Sequence, residues 1–211
     1  MNKKRKCRLD SGNENISGFF LCLIFFLCGI FVGVFAARAL DAHGAFALRE
    51  NIIGLIDSIS TGSYPNPNFL SVFWLTGRYH LLALFLGFSI LGVFALPLLA
   101  AVRGFYLSFS IAALIRAFGP AAFPLALSLF GIWSIITIPA FFFVLNQSFS
   151  TAAQLGKSLF SEPKVSFPTL YGRKFLQTMA LSLFAIILTV ILELSFTPTL
   201  LLWTSSFLSI Y

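Results

Sequence analysis

Charge is scarce in this chain. Lys, Arg, Asp and Glu make up 10% of its 211 residues, against about 25% in a soluble domain, so a water-facing shell cannot be drawn around a core of ordinary size. Acids are rarer still, with seven Asp and Glu against fourteen Lys and Arg. Histidine occurs twice (His43, His80) and cysteine three times (Cys7, Cys22, Cys28). No CxxC, Cys/His cluster or HExxH is present, so neither a metal site nor a zinc protease is supported. No cysteine lies in the polar segment after the first apolar run, which leaves no disulfide framework. An aspartyl intramembrane protease needs two acids sharing one proton, and only Glu193 stands at an apolar helix end. A serine protease needs a Ser/His pair within hydrogen-bond reach, and His80 at a helix start reads as an interfacial polar residue. Gly156-Lys157-Ser158 has the close of a phosphate-binding loop, but Thr151 stands where the first glycine belongs and no strand precedes it. No catalytic residue, cofactor or metal is expected.

Apolar length is what the chain has. Hydrophobic residues make up 58% of it, and Phe alone occurs 27 times. Ile16–Ala37 is uncharged throughout and longer than a signal-peptide core of about 7–15 residues, so it reads as a retained span. Leu81–Val102 is equally long. At about 1.5 Å per residue it covers about 33 Å, enough for a bilayer core of about 30 Å. Further runs lie at 104–118, 121–145 and 175–192. Lipid offers the backbone no hydrogen-bond partners, so such runs are helices. The expectation is an all-α, polytopic transmembrane bundle of about five spans, forming one domain (16–211) behind a basic stub (1–15).

Arg103-Gly104 separates the second run from the third. A cation at mid-bilayer costs about 2.5–3.5 kcal/mol, so this pair is read as the turn of a tight hairpin at a membrane surface. The helix at 104–118 is short, about 22 Å, and a re-entrant course is its alternative. Pro97 predicts a kink. Gly29 and Gly33 form a GxxxG extended by Ala37, and Gly104, Ser108 and Ala112 repeat the spacing. Small residues four apart make flat faces for close helix packing, within the chain or in a homo-oligomer.

The outer segment 38–80 contains a helix near Gly44–Ser60, with Leu48, Ile52, Leu55, Ile56 and Ile59 at helical spacing. It fits the membrane surface or a partner; lying on its own bundle explains the pattern at least as well. Ser60–Asn68 is turn-rich, and Trp74 and Tyr79 suit the water–lipid boundary. Residues 146–174 form an aqueous loop in which Pro163 and Pro168 prevent a long helix. The uncharged tail 194–211, broken by Pro198, lies at the interface or dips back into lipid. With the N-terminus cytoplasmic, the inner segments hold Lys3, Lys4, Arg5, Lys6, Arg8, Arg103, Lys157, Lys164, Arg173 and Lys174. The outer ones hold Arg38, Arg49, Arg78 and Arg116, and the positive-inside rule favours that orientation. The basic stub reads as this orientation signal rather than as a nucleic-acid site. Glu193, an acid at depth, is a functional candidate by default; pairing with Arg116 or Arg78 is its structural alternative. A small permease or transporter subunit, with Glu193, Arg103 and Arg116 along a path, is a competing reading. Against it, no internal repeat is seen.

Gly87–Phe109 resembles the stage II sporulation protein M family. There, a helix ending in a Gly…Pro-aliphatic run meets a basic-Gly-Phe-x-x-Gly-Phe turn. Gly92, Pro97, Arg103, Gly104, Phe105 and Phe109 match, and Ser108 stands where a Gly is usual. The resemblance implies a non-enzymatic scaffold in the bacterial cell membrane, in the mother-cell membrane during forespore engulfment. It also implies that the scaffold recruits or holds the peptidoglycan-degrading stage II sporulation proteins D and P.

Overall fold

The computed structural model describes residues 3–63, 68–160 and 172–205. Four helices come first: α1 (Lys3–Arg38), α2 (Ala42–Ser60), α3 (Phe69–Gly87) and α4 (Gly92–Phe118). A 3-10 turn (Pro120–Ala122), α5 (Phe123–Ala126), a π-helical turn (Leu127–Gly131) and α6 (Ile132–Phe160) then run on as one length, and α7 (Arg173–Ser205) follows. Five stretches are long and apolar enough to cross a membrane: Ser17–Arg38, Phe69–Gly87, Gly92–Phe118, Pro120–Ser158 and Phe175–Trp203. The protein is an all-α, multi-pass membrane bundle, with no strand among the described residues.

Local chemistry sets the helix ends. The Asp41 carboxylate accepts from the Gly44 N–H at 2.8 Å and caps α2. The Asn68 side chain does the same for Leu70 at the start of α3. Gly119, at φ +83°, takes a left-handed conformation that suits glycine. It ends α4 with its N–H donating to the Ile115 carbonyl at 2.8 Å, and Pro120 opens the next turn.

The hairpin turn does not lie at Arg103-Gly104. The chain reverses at Phe88–Leu91, and Arg103 and Gly104 sit inside the unbroken α4. The separate spans read at 81–102 and 104–118 are therefore one helix, which removes the re-entrant alternative. The second span is Phe69–Gly87 instead, so Trp74, Tyr79 and His80 belong to a membrane helix rather than its rim. Pro97, Pro139 and Pro198 all lie within helices. Membrane helices tolerate proline because neighbouring helices and hydroxyl side chains re-satisfy the freed carbonyls. So α6 runs on to Phe160 and α7 to Ser205, where a loop and a broken tail were expected. Pro163, Pro168 and 206–211 lie outside the described residues, as do residues 64–67 of the stretch expected to be turn-rich.

Side chains sort as lipid requires. Large apolar groups face outward, with Phe94 80% and Phe85 72% exposed, while the interior holds Ala83, Ala100, Ser108, Ser148 and Thr189. A surface of this kind suits a hydrocarbon solvent, where association comes from close packing of small residues rather than from hydrophobic expulsion. Interior hydroxyls donate back to their own helices, Ser128 to Leu125 O at 2.8 Å and Thr189 to Ala185 O at 2.8 Å. The main core gathers Cys22, Phe26, Tyr79, Leu96, Phe141 and Leu145 from α1, α3, α4 and α6. A second cluster, Leu114, Leu125, Ala126 and Leu201, receives Ile52, Leu55 and Ile59 of α2. The apolar face of α2 is thus spent on its own bundle.

Candidate functional site

Two features stand out: a tight helix seam and a polar cavity beside it. The seam joins α1 to α4, the most extensively packed helix pair. A Cβ on Gly29 would run into the Ala101 carbonyl, and one on Gly104 into the Phe26 carbonyl. Both obstacles are backbone, so neither can rotate away. Gly33 leaves room for the Ser108 hydroxyl, which donates to the Phe105 carbonyl at 3.2 Å. Ser108 fits this seam because the helix opposite offers a glycine there. Gly92 works elsewhere: its missing Cβ lets the start of α4 pass under the Leu86 carbonyl and against Ala152. Pro97 is buried within α4.

The cavity, about 280 Å³ and open on one side, is lined by α3, α4, the π-turn, α6 and α7. Arg78 and Tyr79 come from α3, Arg103 from α4, Phe130 from the π-turn, Trp133 from α6 and Glu193 from α7. A π-turn carries one extra residue and commonly marks a functional position in a helix; here it puts Phe130 on the cavity wall. Arg78 lies ten residues before the Phe88–Leu91 turn and Arg103 twelve after it, so the antiparallel hairpin brings both to the same depth. From either end of its helix each arginine is at least about 13 Å away.

Tyr79 stands between the two cations. Arg78 lies over its ring at 4.9 Å and Arg103 at 4.8 Å from the centroid, and Arg78 Nη2 donates to its hydroxyl at 3.3 Å. A ring face offers a cation up to about 2 kcal/mol when desolvated. Each mid-membrane cation costs about 2.5–3.5 kcal/mol on insertion scales, so one shared ring does not offset two arginines. Glu193 lines the same cavity, yet among the described residues it makes no ion pair with either arginine. The site therefore holds two cations and one detached acid around a polar void. Such an arrangement can hold water or an anion.

Several expected site residues are placed apart. Arg116 does not line this cavity. His80 is 1% exposed, deep in the bundle, its ring meeting Phe141 edge-on at 5.5 Å; it is a core residue, not an interfacial one. Arg78 entered the sequence reading only as an alternative partner for Glu193, a pair not found among the described residues, and its place beside Arg103 was missed because the turn was set too late in the sequence. Equal counting outward from Phe88–Leu91 would have found it. Among the described residues no group of three or more His, Cys, Asp or Glu could hold a metal ion.

A family model described as stage II sporulation protein M matches residues 22–198. No curated protein and no solved structure matches the chain.

Proposed function

Since the chain belongs to the stage II sporulation protein M family, we propose that it is a non-enzymatic membrane scaffold. In this reading it sits in the mother-cell membrane during engulfment. There it holds the peptidoglycan-degrading stage II sporulation proteins D and P. The observation that carries the reading is the extent of the family match, which runs from the first span nearly to the end of the last. The contact surface would be the outward face of α2, where Phe46 is 64% and Ile53 49% exposed, since the opposite face is already taken by α4 and α7. With the N-terminus cytoplasmic, α2 lies on the outer side, where wall enzymes work. That orientation survives the corrected spans. Arg38, Arg49 and Arg116 fall at the α2 end, and the basic stub, Lys157, Arg173 and Lys174 at the other.

Co-purification from sporulating cells tests this. Proteins D and P should be retained by the wild type and by Glu193→Gln, and lost with Phe46→Ser plus Ile53→Ser. A wild-type protein that retains neither partner sinks the scaffold reading. The cavity favours a second reading, a small permease. It predicts anion or proton flux through the purified protein in vesicles, abolished by Glu193→Gln.

A further inference from the structure

The two intramembrane arginines outnumber the acids available to them. More than two residues from either end of the five spans, the cations are Arg78 and Arg103, and the one acid is Glu193. Glu193 lines the same cavity without an ion pair to either among the described residues. Both guanidinium groups lie over the Tyr79 ring, and apart from the Arg78 bond to the Tyr79 hydroxyl their N–H groups are left, among the described residues, to serve a further acceptor. Planar N–H forks match oxyanions two bonds at a time, which an ammonium cannot do. The cavity of about 280 Å³ has room for such a group with its water. Arg78 is also an exposed side chain midway along its span, so the cavity opens there on the lipid-facing side of the bundle.

We propose that this cavity is a binding site for a phosphate-type oxyanion, seated between Arg78 and Arg103. Tyr79 orients both forks, and Glu193 marks the wall that the anion avoids. The oxyanion comes either from an anionic phospholipid headgroup entering beside Arg78 or from free phosphate. The proposal is independent of the scaffold reading: partner capture can fail while the site binds, and the reverse.

Trp133 lines the cavity and reports on it once Trp74→Phe and Trp203→Phe remove the other two indoles. The full-length protein is placed in phosphatidylcholine nanodiscs and titrated in two arms, with phosphatidylglycerol and with inorganic phosphate. Saturable change in Trp133 emission is expected. Response to phosphatidylglycerol alone identifies the lipid headgroup, and response to phosphate identifies the free ion. Arg103→Gln should weaken binding at least about tenfold, the loss expected for one charge-assisted contact. Arg78→Gln, at an exposed position that tolerates the change, should do the same, and Arg116→Gln should leave binding intact. Arg103→Lys keeps the charge but not the fork, and should bind more weakly than wild type. No saturable response in the wild type, or equal affinity in Arg78→Gln, would overturn the assignment.

Discussion

Gly104 and Gly54 show how much a single missing Cβ can mean. Around Gly104 the obstacle is the Phe26 carbonyl, part of a neighbouring helix. Gly104→Leu should therefore lower stability by about 1–3 kcal/mol or more, the usual cost of overpacking, seen as an earlier thermal unfolding midpoint in detergent. Around Gly54 nothing lies within 4 Å, and the residue is in the middle of α2. Gly54→Ala should stabilise by about 0.4–1 kcal/mol, through helix propensity and a less flexible unfolded chain. Tyr79 gives a second contrast. Tyr79→Phe keeps the ring under both guanidinium groups and loses only the contact from Arg78 to the hydroxyl, so it should cost less than about 1.5 kcal/mol. Tyr79→Leu removes both ring contacts and should cost about 1–4 kcal/mol, from two interactions of about 0.5–2 kcal/mol each.

At the level of helices, α2 is held to the bundle by Ile52, Leu55 and Ile59. Leu55→Ala should loosen it by at least about 1 kcal/mol of lost burial, read as faster amide exchange across Ala42–Ser60 with α4 unaffected. If exchange there stays slow, α2 is anchored by something else. The same helix shows what could be read from the sequence. Its apolar spacing predicts a helix near Gly44–Ser60, and the helix found, Ala42–Ser60, starts two residues earlier, at the Asp41 cap. The first span was equally legible, because one uncharged run filled a bilayer by itself. Arg103 misled for a physical reason. Hydropathy weighs a charge against lipid one helix at a time, but Arg103 is accommodated by a tyrosine 24 positions earlier and a cavity walled by helices far along the chain. Conversely the real turn, Phe88–Leu91, carries no charge and no proline; its local marks are Gly87, Ser89 and Gly92, and glycine is also frequent inside membrane helices. The site was legible only in pieces, Glu193 with Arg103 and Arg116 along one path and Arg78 as an alternative partner for Glu193, because Arg78, Arg103 and Glu193 share a cavity only once the hairpin and the last helix are in place.

At the scale of the whole bundle, orientation is the property that matters most for partners. In a variant stripped of Cys7, Cys22 and Cys28, Ser63→Cys lies beyond α2 and Ser89→Cys in the opposite turn. A membrane-impermeant maleimide should label Ser63→Cys in intact cells and Ser89→Cys only after permeabilisation. The reverse pattern would move α2 to the cytoplasm and take the proposed wall partners out of reach.

The seam between α1 and α4 also sets an order of events at the ribosome. Ser17–Arg38 is made first, but the helix it grips is complete only at Phe118. That is about 80 residues later, some 4–16 s at ordinary translation rates. Until then the nascent first helix waits in the bilayer with its glycine face open to lipid or to a chaperone. Chains arrested at Leu91 should leave the Cys22 thiol, 1% exposed in the finished bundle, reactive to a lipid-soluble maleimide, and chains carried through α6 should shield it. Of the five spans, the first into the membrane is secured only once more than half the polypeptide has been made.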